Sequence, residues 1–300
     1  MMEDYKDYDY EKLKDVGRVT HDALEYGRNK IKPGARLYEV AEEIEEYMKE
    51  KGFALAFPVN ISINEEAAHY TPMQNDLRVF GDKDIVKLDL GARKDEYLGD
   101  SAITVDLSNE HGALVECSRE AVEEAISIVR AGRSMSEIGK AVEAIIRKYK
   151  FNPVKNLGGH GITRNELHAN IFIPSFDNGD PTKLEEGEVI AIEVFVTPGE
   201  GFVKDGDYVQ IFQKFAGMPR LASSREVAEF IDKHYQTYPF AMRWLAKDFD
   251  EFKIKAALNE LSRMEILESF PVLVERSKGI VAQTEYEMIV EKDSCDVVTK

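Results

Sequence analysis

Cysteine is scarce in this chain: Cys117 and Cys295 are the two, and they sit in unrelated sequence contexts. That count excludes a disulfide framework and a cysteine-based zinc site. Also missing is any run of about 18 apolar residues, so no membrane-spanning helix is expected. The first residues, MMEDYKDYDYEKLKD, are acidic and hold no apolar stretch, which argues against a signal peptide and for the cytoplasm. Positive charge is short as well, with 39 Lys and Arg against 56 Asp and Glu and a net charge of −17. A field of that sign repels phosphate backbones and speaks against nucleic-acid binding. It serves solubility first and the attraction of a protonated amine second. The hydrophobic fraction of 43% is ordinary for a globular protein, and 300 residues allow one large domain or two smaller ones.

What is present includes an internal repeat. Residues 31–53 read IKPGARLYEVAEEIEEYMKEKGF, and 98 positions later residues 129–151 read VRAGRSMSEIGKAVEAIIRKYKF. Gly34 pairs with Gly132, Glu39 with Glu137, Ile44 with Val142, and Phe53 with Phe151. The shared apolar positions follow helical spacing. A further helical stretch precedes each copy, roughly 8–30 and 118–130. Each copy then leads through proline and asparagine to a histidine, His69 or His160, and on to a β-rich acidic segment around Asp89 or Glu193. Two similar amphipathic helices could arise by chance, but the matching order of glycine, helix, phenylalanine, histidine and acidic strand is harder to produce that way. The pattern predicts an α/β (α+β) fold of two αα-β halves about a pseudo-twofold, with helices backing a curved antiparallel sheet and a ligand site between the halves.

The last third breaks the pattern. Helical candidates begin at Ser224, whose hydroxyl is a good N-cap, and near Asp250. No basic face stands out, so a DNA-binding helix-turn-helix is not favoured. The expected organisation is a main domain of residues 1–199 and 267–300, with halves of about 1–110 and 111–199 plus 267–300. A helical insert of residues 200–266 would form a lid or wall.

Four acids stand in apolar, strand-like runs: Asp89 in IVKLDLGA, Asp100 in YLGDSAITVDL, Glu193 in VIAIEVFVT and Glu285 in IVAQTEYEMIVEK. A carboxylate in such a place is costly unless paired, hydrogen-bonded or bound to metal. Two antiparallel strands can bring Asp89 and Asp100 to one point. Four acids converging need a counter-charge, and a metal pair supplies one. His160, after two glycines in NLGGHGI, is the natural nitrogen donor. So oxygen-rich a set suits manganese or iron(II), with cobalt as a laboratory substitute. Taken singly, each acid reads equally well as solvent-facing or as a partner of Lys87 or Arg93, and a lone His160 reads better as a turn residue. The combination carries the metal reading.

The segments AFPVNISINEEAAHYTP (56–72), KLDLGARKDEYLGDSAITV (87–105), NLGGHGITRNELHAN (156–170), AIEVFVT (191–197) and VAQTEYEMIVEKDS (281–294) resemble the methionine aminopeptidases. The likeness is to their type 2, archaeal-like form and covers nearly the whole chain. It implies the pita-bread fold and a metallo-exopeptidase that removes N-terminal methionine from nascent polypeptides with a small second residue. The nucleophile would be a water activated between two divalent ions (iron, manganese, cobalt or zinc). Carried over position by position, the metal ligands are Asp89, Asp100, His160, Glu193 and Glu285. Glu193 would also shuttle a proton, and His69 and His168 would contact substrate. The methionine pocket would be lined by Phe57, Leu167, Phe195, Phe270 and Leu273, each of which reads equally well as core packing. The long stretch between Glu193 and Glu285 matches the type 2 insert. The resemblance further implies a monomer without membrane or sequence-specific nucleic-acid partners, with the ribosome as a candidate neighbour.

The sequence departs from the family pattern at Thr284, Tyr286 and Glu287, where an aromatic, a histidine and a threonine are usual, and at Glu96, where glycine is common. Two other readings compete. A proline-specific peptidase of the same fold would carry a separate N-terminal domain, for which there is no room before Gly34. A non-catalytic relative that binds RNA or ribosomes would not need five intact ligands.

Overall fold

The computed structural model describes residue 5 and residues 7–300. The first half runs α1 (Tyr10–Lys30), α2 (Leu37–Glu50), β1 (Ala54–Leu55), β2 (Asn60–Ile63), β3 (Glu66–Ala68), β4 (Ile85–Leu90), β5 (Ala92–Lys94), β6 (Tyr97–Leu98) and β7 (Ser101–Asp106). The second runs α3 (Gly112–Ile128), α4 (Met135–Lys148), β8 (Asn152–Pro153), β9 (Gly158–Thr163), β10 (Glu166–Pro174) and β11 (Val189–Thr197). Then follow β12 (Val203–Lys214), α5 (Ala222–His234), β13 (Phe240–Ala241), α6 (Met242–Leu245) and α7 (Glu251–Arg263). The chain ends with β14 (Leu267–Glu275), β15 (Ala282–Val290) and β16 (Cys295–Val297).

The repeat is physical. The shift of 98 carries α2 onto α4 residue for residue, and the last residue of α1 onto that of α3. Gly34 and Gly132 turn the chain before α2 and α4 with φ of +84° and +83°, a region that a Cβ disfavours. Each helix buries a stripe at helical spacing: Leu37, Val40, Ile44 and Met48 on α2, and Met135, Ile138, Val142 and Ile146 on α4. Each such aliphatic side chain contributes roughly 1.5–3 kcal/mol when fully buried. Helix α3 begins at Gly112 rather than near Ser118. Ser118 lies inside it, its hydroxyl donating to Val115 O and paired with the Thr284 hydroxyl.

Both halves feed one antiparallel sheet in the order β10-β9-β11-β15-β7-β4-β2, with β8 on β11 and β16 on β15. Helices α1 and α2 cover the first half through Leu13, Val16, Ile44 and Leu88. Helices α3 and α4 cover the second through Ala121, Val142, Ile190 and Met288. Strand β15 is the seam, pairing with β11 on one side and β7 on the other.

The stretch expected to be helical, 200–266, holds α5, α6 and α7 but also β12 and β13. These strands join β14 and β3 in a four-stranded sheet. Ser224 is not a cap: α5 starts at Ala222, and Glu260 Oε1 of α7 accepts from Arg220 N and Leu221 N at 2.9 and 3.2 Å. A distant carboxylate thus holds the chain just ahead of the helix, at Arg220 and the N-cap Leu221, and no side chain caps the first turn. Asp250 does cap α7, accepting from Lys253 N at 3.0 Å. Both cysteines are free thiols, and among the described residues no helix is long and apolar enough to cross a membrane.

Candidate metal centre

One row across the sheet positions most of the site. Glu193 on β11 lies opposite Glu285 on β15, Glu285 opposite Ala102 on β7, Ala102 opposite Asp89 on β4, and Asp89 opposite Asn60 on β2. Residues opposite one another in a pleated sheet project from the same face. Asp100 sits immediately before β7, and His160 on β9 lies opposite Ala191, two residues before Glu193. The glycine before His160 is required by space, because a Cβ at Gly159 would meet Ala191 O at 2.3 Å.

His160 Nε2 stands 3.4 Å from Asp100 Oδ2 and 3.9 Å from Glu285 Oε1. One potential ligand atom from each of these three buried residues lies within 4.8 Å of the others. The Nδ1 of His160 lies 3.3 Å from Gly161 O. A proton on Nδ1 directed at that carbonyl leaves the Nε2 lone pair free for a cation. Gln283 ties in the remaining two acids, its Nε2 donating to Asp89 Oδ2 at 3.4 Å and Glu193 Oε2 at 3.3 Å.

Burial raises the pKa of Asp89, Glu193 and Glu285 well above the carboxylate range, and the acids raise one another further. Burial pushes Asp100 up to about 8 and lowers His160 to about 4, so the imidazole is neutral. Among the described residues no Lys or Arg pairs with any of the four acids. Lys87 Nζ donates to Asn64 O at 2.8 Å, and the Arg93 guanidinium stacks over Tyr238 at 3.9 Å. Asp89 Oδ1 and Asn60 Oδ1 are buried without a hydrogen-bond partner. Orphaned oxygens among unneutralised acids and a neutral imidazole fit a hard divalent cation.

All five of these residues line one cleft with about 620 Å³ of open space. His69 and His168 line it too. His69 adopts φ +67° and meets Phe270 edge-on at 5.8 Å, and His168 stands 4.4 Å from the His160 ring. Burial and the nearby His168 lower His69 to about 4. The apolar wall includes Phe57, Leu157, Leu167, Phe195 and Phe270, with Ile211 and Pro239 contributed by the 200–266 stretch. Leu273 is not on this wall. It lies opposite Ala68 on β3, which does line the cleft, and packs against the cluster of Ala68, Val154 and Phe195.

Of the departures, Thr284 bonds Ser118 at 2.9 Å, Tyr286 lies under the Lys300 ammonium at 5.3 Å, and Glu96 pairs with Arg164 at 2.8 Å. Only Glu287 touches the centre, its Oε2 accepting from Asp100 N at 3.0 Å. Asn60 and Gln283 escaped the reading of the sequence, which had named Glu287 as a departure. The period-two alternation of 283, 285 and 287 on one strand is the signal that could have found Gln283.

The model of metallopeptidase family M24 matches residues 11–216. The methionine aminopeptidase of Methanocaldococcus jannaschii is 41% identical over 292 residues, covering 97% of this chain and 98% of its own. That of Pyrococcus horikoshii is 42% identical over 294 residues, covering 97% and 100%. The chain belongs to metallopeptidase family M24 and, within it, to the methionine aminopeptidases. Such a metallopeptidase works with divalent metal ions. The fold is the pita-bread fold, shared with the methionine aminopeptidase of Thermotoga maritima at 22% identity (TM-score 0.71, covering 97% of this chain and 96% of that one). A thermophilic Arx1 has the same fold at 19% identity (TM-score 0.83, covering 96% and 89%).

Proposed function

We propose that this cleft removes the N-terminal methionine from nascent proteins and peptides whose second residue is small. The supporting observation is the cluster of four carboxylates and an imidazole, without a Lys or Arg partner among the described residues, beside an apolar wall. In this reading two divalent ions would be held by Asp89, Asp100, His160, Glu193 and Glu285. The oxygen-rich donors favour manganese or iron(II), with cobalt and zinc as further candidates. Bound there, such ions polarise the scissile carbonyl and make water acidic near neutral pH.

The chain's own groups do the rest. A Glu193 carboxylate oxygen accepts the proton of the attacking water and returns it to the leaving amine. His69 and His168, both neutral, donate hydrogen bonds to the peptide and to the developing oxyanion. Phe57, Leu167, Phe195 and Phe270 take the methionine side chain and exclude water from the acids. Residues 1–199 and 267–300 act as the catalytic domain, and 200–266 as an insert walling the cleft. The same reading makes the chain a monomer in the cytoplasm, meeting its substrates as they leave the ribosome.

Product analysis on a peptide panel tests this. Methionine release from Met-Ala-Ser, lost with chelator and with a bulky second residue, is the expected result. Cleavage of Ala-Pro peptides, or no cleavage at all, would overturn it.

A further inference from the structure

The insert reaches the cleft by a polar route as well as through Ile211 and Pro239. Arg243 on the short helix α6 is fully buried. Its Nη1 donates to Thr71 Oγ1 at 2.6 Å and to Pro72 O at 3.3 Å. On its other side Nε donates to Glu42 Oε1 at 3.3 Å, and Nη2 donates to Glu45 Oε1, both on α2. Trp244 Nε1 adds a bond to Glu45 Oε2 at 2.8 Å. One guanidinium therefore joins three segments: the insert, α2, and the chain just beyond His69.

That third segment is held tightly. The Thr71 hydroxyl, besides accepting from Arg243, donates to Val59 O at 2.8 Å, and Thr71 O accepts from Tyr208 OH at 3.1 Å. Ile61 N donates to Tyr70 O at 2.6 Å. On the near side Ala68 is fixed by its register with Leu273 of β14. Between these anchors His69 keeps a left-handed φ of +67°, which a residue with a Cβ leaves when its surroundings allow. Seating α6 on α2 does not by itself call for a charge, since apolar side chains do that at least as well. A planar fork with donors in fixed directions does what they cannot: it sets the position of two backbones at once.

We infer that Arg243 is a positioning residue that, through Thr71, holds the His69 ring in the cleft, so the insert's seating on α2 governs turnover. This rests on the reading of His69 as a substrate contact. The test uses Arg243→Lys and Thr71→Val in the metal-loaded full chain, each alone and combined with His69→Ala. Turnover of Met-Ala-Ser and bound metal are measured, together with the imidazole ¹H–¹⁵N resonances of the six histidines. Each substitution is expected to lower kcat by about tenfold to a hundredfold, with KM and metal content little changed. The His69 resonances should shift, and neither substitution should cost anything further once His69 is alanine. Equal losses in both backgrounds, or His69 resonances that stay in place, would overturn the inference. Should Arg243→Lys fail to fold, Thr71→Val alone decides. If His69→Ala by itself keeps full kcat, the substrate role of His69 falls, and the resonances alone decide whether Arg243 fixes the ring.

Discussion

The two halves place unlike donors on like frames. His69 stands just after β3 and His168 within β10, each ahead of its half's acidic strand, and Asp89 and Glu193 occupy those acidic strands. On the neighbouring strands the symmetry breaks: Asn60 on β2 lies opposite Asp89 itself, whereas His160 on β9 lies opposite Ala191, two residues before Glu193, a register that Ser62 holds opposite Lys87 in the first half. The second half offers an imidazole nitrogen, whereas the first offers an amide whose oxygen is buried without a partner. Asp100, just before β7, and Glu285 on β15 meet at the seam between the halves. A repeated scaffold can thus supply paired acids, while the donors beside them differ from one half to the other.

The seam and the imidazole should carry the largest effects. Replacing Asp100 or His160 with alanine is expected to cost roughly 10⁴-fold or more in methionine release, the scale of losing a catalytic group, and to lower bound metal. Asn60→Ala, beside Asp89 in the first half, is expected to cost only about 10–100-fold, as for a group that orients a ligand. Equal losses at Asn60 and His160 would make the halves functionally alike, and full activity in either of the first two variants would remove the site assignment. Next come the paired histidines. His69→Ala and His168→Ala should each lower kcat by about 10²–10³-fold, the range for one oxyanion donor, with metal retained on analysis. Metal loss in either would show that its role is misassigned.

The seam also sets a pH dependence for the chelated protein. Asp100 rises from 3.8 to about 8 in the folded state because of burial, so the folded chain binds more protons there than the unfolded one. Stability from this source is complete below the unfolded value and is lost as pH climbs toward 8, at up to about 1.4 kcal/mol per pH unit for one proton. The Tm of chelator-treated protein should therefore fall between pH 5 and pH 8, and added divalent ion should restore it. A Tm that rises over that interval without metal would mean the acids are not packed as described.

Much of this was legible because it rests on local periodicity. The stripes of α2 and α4, the glycines before them and the apolar runs around Asp89 and Glu193 all lie within short windows. What escaped depends on partners far along the chain. Ser224 looks like a cap until α5 is seen to start at Ala222, with Glu260 of another helix holding the N–H groups of Arg220 and Leu221 just before it. Strand β12 lies within the stretch read as helical, and most of its β-pairing is with β14, more than fifty residues on. Leu273 fits the family pattern by position, yet it packs against Ala68 and Phe195 without itself lining the cleft. Gln283 resembles any polar strand residue, and only its hydrogen bonds to Asp89 on β4 and Glu193 on β11 show that it bridges two acids.

The smallest expected effect probes the frame itself. Helix α4 opens with a capping box: Ser134 Oγ accepts from Glu137 N, and the Glu137 carboxylate accepts from Ser134 N at 3.0 Å. The shift of 98 puts Arg36 and Glu39 in those places on α2, where no side-chain cap forms and Arg36 instead reaches Glu39 at 3.1 Å as an exposed pair. An exposed pair of this kind is worth little, whereas a serine cap is worth about 1 kcal/mol. Ser134→Ala should therefore destabilise the chain by about that amount, and Arg36→Ser should offset much of the loss by giving Glu39 the partner its counterpart has. Urea denaturation of the two single variants and the double variant checks this. If Arg36→Ser destabilises instead, the Arg36 bond to Asp76 O at 3.3 Å outweighs a cap, and the two helix starts are alike in backbone but not in what holds them.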